Sequence, residues 1–112
     1  MNEPLATLSV EPRETSETVV VTVDGEIDLS NADLVRRDLS DVLASQRCMI
    51  LDLTQLDFFD SSGVAVLYEL AFEARRAGRE LVVVAPQDSN ARRVLLITGF
   101  DTVVRLEVTV PL

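Results

Sequence analysis

Leu51-Asp52-Leu53-Thr54-Gln55-Leu56-Asp57-Phe58-Phe59-Asp60-Ser61-Ser62-Gly63-Val64 is an apolar strand that stops at an acidic, serine-bearing turn and restarts as a helix. The strand begins at residue 48, and the short, mostly continuous apolar run over residues 48–53 is what a central strand covered on both faces requires. A hydroxyl therefore stands where a helix begins. The first amides of a helix have no intrahelical acceptors and carry the positive end of its dipole, so a phosphate on Ser61 or Ser62 can be held there by backbone alone. A purely structural reading fits the same residues: Asp60 or Ser61 caps the helix and Gly63 allows close packing.

Outward from this turn the chain alternates between strands and helices. Apolar and polar residues alternate over 5–10, residues 11–17 form a polar break, and 18–23 is β-branched throughout, which predicts two strands joined by a loop and paired antiparallel. Asp24-Gly25 is expected to turn the chain, Glu26-Ile27-Asp28 to continue it briefly, and Ser30 with Asp33 to start a helix in the manner of a capping box. Leu34, Val35, Leu39, Val42 and Leu43 recur at helical spacing as its buried stripe. After the Asp60-Ser61-Ser62-Gly63 turn a helix runs to about residue 77, with Gly78 suited to its C-terminal cap. Residues 80–85 supply a strand broken by Pro86, Ser89 or Asn90 caps a third helix ending near Thr98, and 103–108 is a last strand. The pattern predicts an α/β fold: one domain over residues 1–112, with a mixed β-sheet, parallel inner strands and about three to four helices. In such a sheet the loops at the carboxyl ends of neighbouring parallel strands converge, which brings Asp28 near Ser61.

The composition excludes several classes of function. The chain has 112 residues, a length near the commonest domain size. Its formal charge is -9, and all ten basic residues are arginine, which argues against nucleic-acid binding through phosphate contacts. No apolar run approaches the roughly 20 residues needed to span a bilayer, and Met1-Asn2-Glu3-Pro4 does not read as a secretion signal, so a cytoplasmic protein with protein partners and no membrane association is expected. Without histidine there is no Ser-His-Asp triad, histidine base or usual zinc ligand; without lysine there is no P-loop lysine or Schiff base. The single cysteine, Cys48, precludes an internal disulfide and reads as a core residue. The doublets Arg36-Arg37, Arg75-Arg76 and Arg92-Arg93 fall in predicted helices and read as solvated faces. No metal or cofactor is implied.

Val23-Asp24-Gly25-Glu26-Ile27-Asp28, Leu51-Asp52-Leu53 leading to Phe59-Asp60-Ser61-Ser62-Gly63, and Asn90-Ala91-Arg92-Arg93-Val94-Leu95 with Thr98-Gly99-Phe100 together resemble the STAS-domain anti-sigma factor antagonists. The likeness spans almost the whole chain with the motifs in order. It implies a bacterial partner-switching protein of stress response and transcription regulation, not an enzyme. Unmodified, such a protein binds an anti-sigma factor and frees the sigma factor; the anti-sigma factor is also a serine kinase that phosphorylates and releases it, and a PP2C-type serine phosphatase reverses the change. The acceptor position maps to Ser61, with Ser62 as its neighbour, and Asp28 matches the acidic residue of the family's Gly-Glu-x-Asp segment. Asp28, Asp60, Ser61, Ser62, Gly63 and Val64 are then the expected partner-binding residues. Val64-Ala65 stands where relatives often carry Leu-Gly, a change that leaves the acceptor in place.

Rival chemistries lack essential residues. A two-component receiver needs a lysine on a late strand. A serine hydrolase needs a histidine base and Gly-x-Ser-x-Gly, yet Phe59 occupies the position of the first glycine. Carboxylates such as Glu26 and Asp60 are the residue types that glycosidase chemistry uses, but a domain this small offers little cleft for a sugar. The alternative within the fold is a constitutive STAS docking subunit of a transport or stress-signalling complex, with Ser61 unmodified.

Overall fold

β-branched side chains pack well on a pleated surface, and the valine-rich run after Thr18 forms the strand around which the sheet is built. The computed structural model describes residues 5–13 and 17–111. In chain order these form β1 (Ala6–Pro12), β2 (Thr18–Ile27), α1 (Ala32–Ala44), β3 (Cys48–Asp52), β4 (Leu56–Phe59), α2 (Ser61–Ala77), β5 (Glu80–Val84), α3 (Asn90–Ile97), a 3-10 turn (Phe100–Thr102) and β6 (Arg105–Glu107). The strands lie in the order β1-β2-β3-β5-β6, and β4 pairs with the far end of β2. β1 is antiparallel to β2, whereas β2–β3, β2–β4, β3–β5 and β5–β6 are parallel. This is the expected mixed α/β sheet, with three α-helices among the described residues.

Alternation along the strands divides the core. Val19, Val21 and Val23 of β2, Met49 and Leu51 of β3, and Leu81 and Val83 of β5 face one way and meet Val35, Leu39 and Leu43 of α1 and Val66, Leu67 and Leu70 of α2. Each such side chain, fully buried, contributes about 1.5–3 kcal/mol, so this single layer of contacts dominates stability. The other face holds a smaller cluster, Ile50, Val82 and Val84, covered by Val20, Cys48 and Val110. The Arg13 guanidinium donates to the Pro111 carbonyl at 2.8 Å and ties down the segment that carries Val110. β3 is thus covered on both faces as expected, by helices on one side and by the segment that carries Val110 on the other.

Several expectations are corrected. Asp24-Gly25 does not turn the chain: β2 runs through it, its parallel partner changing from β3, paired up to Thr22, to β4, paired from Gly25, and the β2–β4 register then shifts between Gly25 and Glu26 with Asp57 as the extra residue on β4. Gly25 has φ of 117° and lies so close to β1 that a Cβ there would sit 2.1 Å from the Leu5 carbonyl oxygen. Ser30 does not cap α1; Asn31 occupies the N-cap and its side chain bonds the preceding loop instead. Leu34 is exposed, because the buried face of α1 follows Val35, Leu39 and Leu43. Residues 56–59, between the expected strand over 48–53 and the Asp60 turn, form a further short strand, β4. Cys48 is only half-buried, on the thinner face, where burial with help from Glu80 pushes its thiol up to about 11. β6 is shorter than the expected 103–108: the Val103 and Val104 amides still bond back to the Phe100 carbonyl, and pairing with β5 ends at Glu107. The loop of the polar break, residues 14–16, lies outside the described residues.

Candidate functional site

Ile27 at the end of β2 and Phe59 at the end of β4 are register partners, so the loop at Asp28 and the turn at Asp60-Ser61 leave the sheet side by side. Both partners are buried in the helix-side core and anchor the two loops from below.

The turn is built by its own residues. Asp60 is the N-cap of α2 in extended backbone conformation, and its carboxylate accepts from the Ser62 amide at 2.9 Å. Gly63 is buried against Phe59: a Cβ at that position would lie 2.5 Å from the ring. The first turn of α2 therefore sits directly on the last residue of β4. Ser61 is the exposed first residue of the helix, while Ser62 is half-buried and Val64 packs onto the core. At the far end Gly78 caps α2 with φ of 68°.

The neighbouring loop is held by short polar contacts. Asp28 Oδ1 accepts from the Ser30 amide at 2.8 Å and from the Ser30 hydroxyl at 2.6 Å. Asn31 Oδ1 accepts from the Asp28 amide at 2.9 Å, and Asn31 Nδ2 donates to the Glu26 carbonyl at 2.8 Å. Bonds from Ser30, its hydroxyl first, hold the Asp28 carboxyl below its ordinary value. Asp28, Leu29, Ser30, Phe58 and Asp60 line one open notch. The structure thus brings Asp28 and Asp60 to a shared surface next to Ser61, with Ser62, Gly63 and Val64 following on the helix.

Two residues on this surface escaped the sequence reading. Leu29 is 85% exposed and Phe58 46% exposed. The available signal was a leucine inside an otherwise polar loop and a phenylalanine that alternation turns away from buried Phe59. Glu26 is the register partner of Phe58, so the aromatic ring emerges beside a carboxylate.

The start of the third helix lies against the end of β4. Ser89 caps α3 by accepting from the Arg92 amide at 3.1 Å, and Asn90 Nδ2 reaches the Phe59 carbonyl at 3.5 Å. Arg92 does not lie on a solvated face: its Nη1 donates to the carbonyls of Ala85 at 3.0 Å and Glu107 at 3.3 Å, tying the ends of β5 and β6 together. Arg36 pairs with Glu69 across α1 and α2 at 3.1 Å, while Arg37, Arg75, Arg76 and Arg93 are exposed as expected.

Chemically, the site presents one exposed hydroxyl at a helix start, flanked by carboxylates and by two exposed apolar side chains. Among the described residues no group of three or more histidine, cysteine, aspartate or glutamate side chains is placed to hold a metal ion. No helix among them is long and apolar enough to cross a membrane.

Comparison with known proteins gives a consistent result. The STAS domain family matches residues 9–111. The crystal structure of an anti-sigma factor antagonist from Mycobacterium paratuberculosis superposes with a TM-score of 0.81 over 94% of this chain and 87% of its own, at 29% identity. The anti-sigma F factor antagonist of Paenibacillus polymyxa is 28% identical over 78 residues, which is 68% of this chain and 67% of that protein. Osmosensory protein A of Mycobacterium tuberculosis is 33% identical over 66 residues, or 59% of this chain and 42% of that longer protein.

Proposed function

The chain belongs to the STAS domain family, and from that premise we propose that it is an anti-sigma factor antagonist controlled by phosphorylation at Ser61. In its unphosphorylated form it binds an anti-sigma factor that is also a serine kinase and thereby releases a sigma factor. Phosphate on Ser61 ends that binding, and a PP2C-type serine phosphatase restores it. The protein acts in the cytoplasm by binding and not by catalysis, and the partner meets a face made by Asp28, Asp60, Ser61, Ser62, Gly63 and Val64.

The observation that carries this reading is the exposed hydroxyl of Ser61 on the first residue of α2, beside the notch shared by Asp28 and Asp60. A phosphate there adds about -1.5 to -2 charges next to the carboxylates of Asp28 and Asp60. The helix dipole offsets only about 0.3–1 kcal/mol of this. Moving a two-state population from about 1:99 to 99:1 takes roughly 5.5 kcal/mol of differential affinity, a magnitude that desolvating two or more like charges at an interface supplies. The fold itself need not change. Two relatives that bear the name anti-sigma factor antagonist support the choice of partner.

Calorimetric titration of the anti-sigma kinase with Ser61→Ala, Ser61→Glu and Ser62→Ala tests the reading. Ser61→Ala and Ser62→Ala should bind as the native chain does and Ser61→Glu at least tenfold more weakly. Equal affinity of all three contradicts the electrostatic switch and favours a constitutive docking role.

A further inference from the structure

The two ends of α2 carry opposite kinds of surface. Ser61 and Arg75 are separated by about 21 Å along the helix at 1.5 Å per residue, so the features at the two ends are independent of one another. At the Ser61 end, Leu29 and Phe58 project from the sheet edge, among Asp28, Asp60 and Glu26. Leu29 and Phe58 line the same notch and together form one exposed apolar projection.

The opposite end holds the complement. Between the end of α2 and the start of β6 lies a hollow of about 280 Å³, with Ala71, Ala74, Leu81 and Val103 among its walls and Arg75, Arg79, Arg105 and one carboxylate, Glu80, around it. Its size falls below the roughly 300–1,000 Å³ of small-molecule sites and suits one or two side chains. Arg105 is engaged by Glu80 at 3.9 Å and Glu107 at 3.2 Å, and Arg79 donates to the Gln46 carbonyl, so the rim is held in place. Arg75 is exposed on the last turn of α2.

We propose that this domain associates with a second copy of itself head to tail, Leu29 and Phe58 of one copy seating in the hollow between α2 and β6 of the next. An apolar projection among carboxylates meets a hollow whose rim carries three arginines to one glutamate, Arg75 being the arginine without a side-chain partner among the described residues, which is charge complementarity within one chain. Because the two surfaces differ, the contact is heterologous and propagates instead of closing as a two-fold dimer. The net charge of -9 opposes the approach of copies, but screening beyond about 8 Å at physiological salt leaves the local contact to decide. The resulting association is weak and concentration-dependent. It covers the surface next to Ser61 and competes with any other occupant of that surface, whether or not Ser61 is phosphorylated.

Sedimentation velocity of the full chain from about 10 μM to 1 mM, the range in which weak contacts register, tests the proposal. The variants are Leu29→Glu, which spoils the projection, and Arg75→Glu with Arg105→Gln, which spoils the hollow. Leu29 is exposed and the Arg105 pairs are solvated, so both variants should melt within a few degrees of the native chain. The native chain should show a mass average that rises with concentration, each variant alone should stay monomeric, and an equimolar mixture of the two should regain association capped at one-to-one pairs. A native chain that remains monomeric at 1 mM, a rise that survives in either variant, or a mixture that stays monomeric overturns it.

Discussion

Replacing Gly63 with alanine tests how the core sets the position of the Ser61 turn. On helix propensity alone the change is favourable by about 0.5–1 kcal/mol, because glycine loses the most backbone entropy on folding. The structure opposes it: the new Cβ would lie 2.5 Å from two ring carbons of Phe59, about an ångström inside ordinary carbon contact. Phe59 is 4% exposed and belongs to the main core, so its ring has no room to retreat without moving neighbours. Overpacking of this kind costs about 1–3 kcal/mol. After the propensity gain, the net destabilisation should be about 1–2 kcal/mol. With an unfolding entropy of about 2.1 cal/mol/K per residue, that is a fall in Tm of roughly 4–8 °C for a chain of this length. Phe59→Leu alone should also cost stability by leaving a cavity, yet in the double variant the alanine methyl partly fills the space. The cycle, read from urea unfolding monitored by circular dichroism, should therefore show a favourable coupling of at least 1 kcal/mol. A stabilised Gly63→Ala, or costs that simply add, would refute the contact as the reason for glycine at this position.

Two further predictions concern ionisable groups. Asp28 should titrate below the ordinary carboxylate midpoint in an NMR pH series, and Ser30→Ala should move it back up, since the Ser30 hydroxyl is the first cause of the depression. A carboxyl lowered in the folded state supports its loop above its unfolded midpoint and loses that support as pH falls through the folded one; an unchanged midpoint in Ser30→Ala contradicts the assignment. Cys48, with its thiol raised from 9.0 to about 11, should react with iodoacetamide at pH 8.5 roughly ten- to hundredfold more slowly than in the urea-unfolded chain. A thiol raised in the folded state contributes stability below its unfolded midpoint and loses it as pH climbs through the folded one, so the melting temperature should fall more steeply between about 9 and 11 than in Cys48→Ala. Alkylation at the unfolded rate would contradict the burial.

The parts of the fold legible in the sequence are those where one local signal acts alone. The apolar run at β3, the Gly78 cap of α2 and the Ser89 cap of α3 each identify an element without reference to anything distant. The parts that were not legible depend on neighbours. Asp24-Gly25 has the composition of a turn, but β1 stays paired through it and β4 takes over as parallel partner where β3 ends, so the strand runs on. Leu56–Phe59 is too short to declare itself and becomes a strand only because the end of β2 is free to pair with it. Arg92 looks like any surface arginine until the ends of β5 and β6 supply carbonyls for its guanidinium. At the site, the sequence pointed to Ser61, Asp60 and Asp28 through the convergence of loops at one edge of the sheet. It passed over Leu29, which stands in the turn after β2, and Phe58, which alternation along β4 turns away from the core.

The central claim is that Ser61 is a regulated phosphate acceptor, and the most direct measurement is site-resolved mass spectrometry of the protein isolated from its native cells, in growth and under stress. The account predicts phosphate on Ser61 whose occupancy changes with condition, with Ser62 unmodified. Phosphate confined to Ser62, or an unmodified Ser61 in every condition, would contradict it.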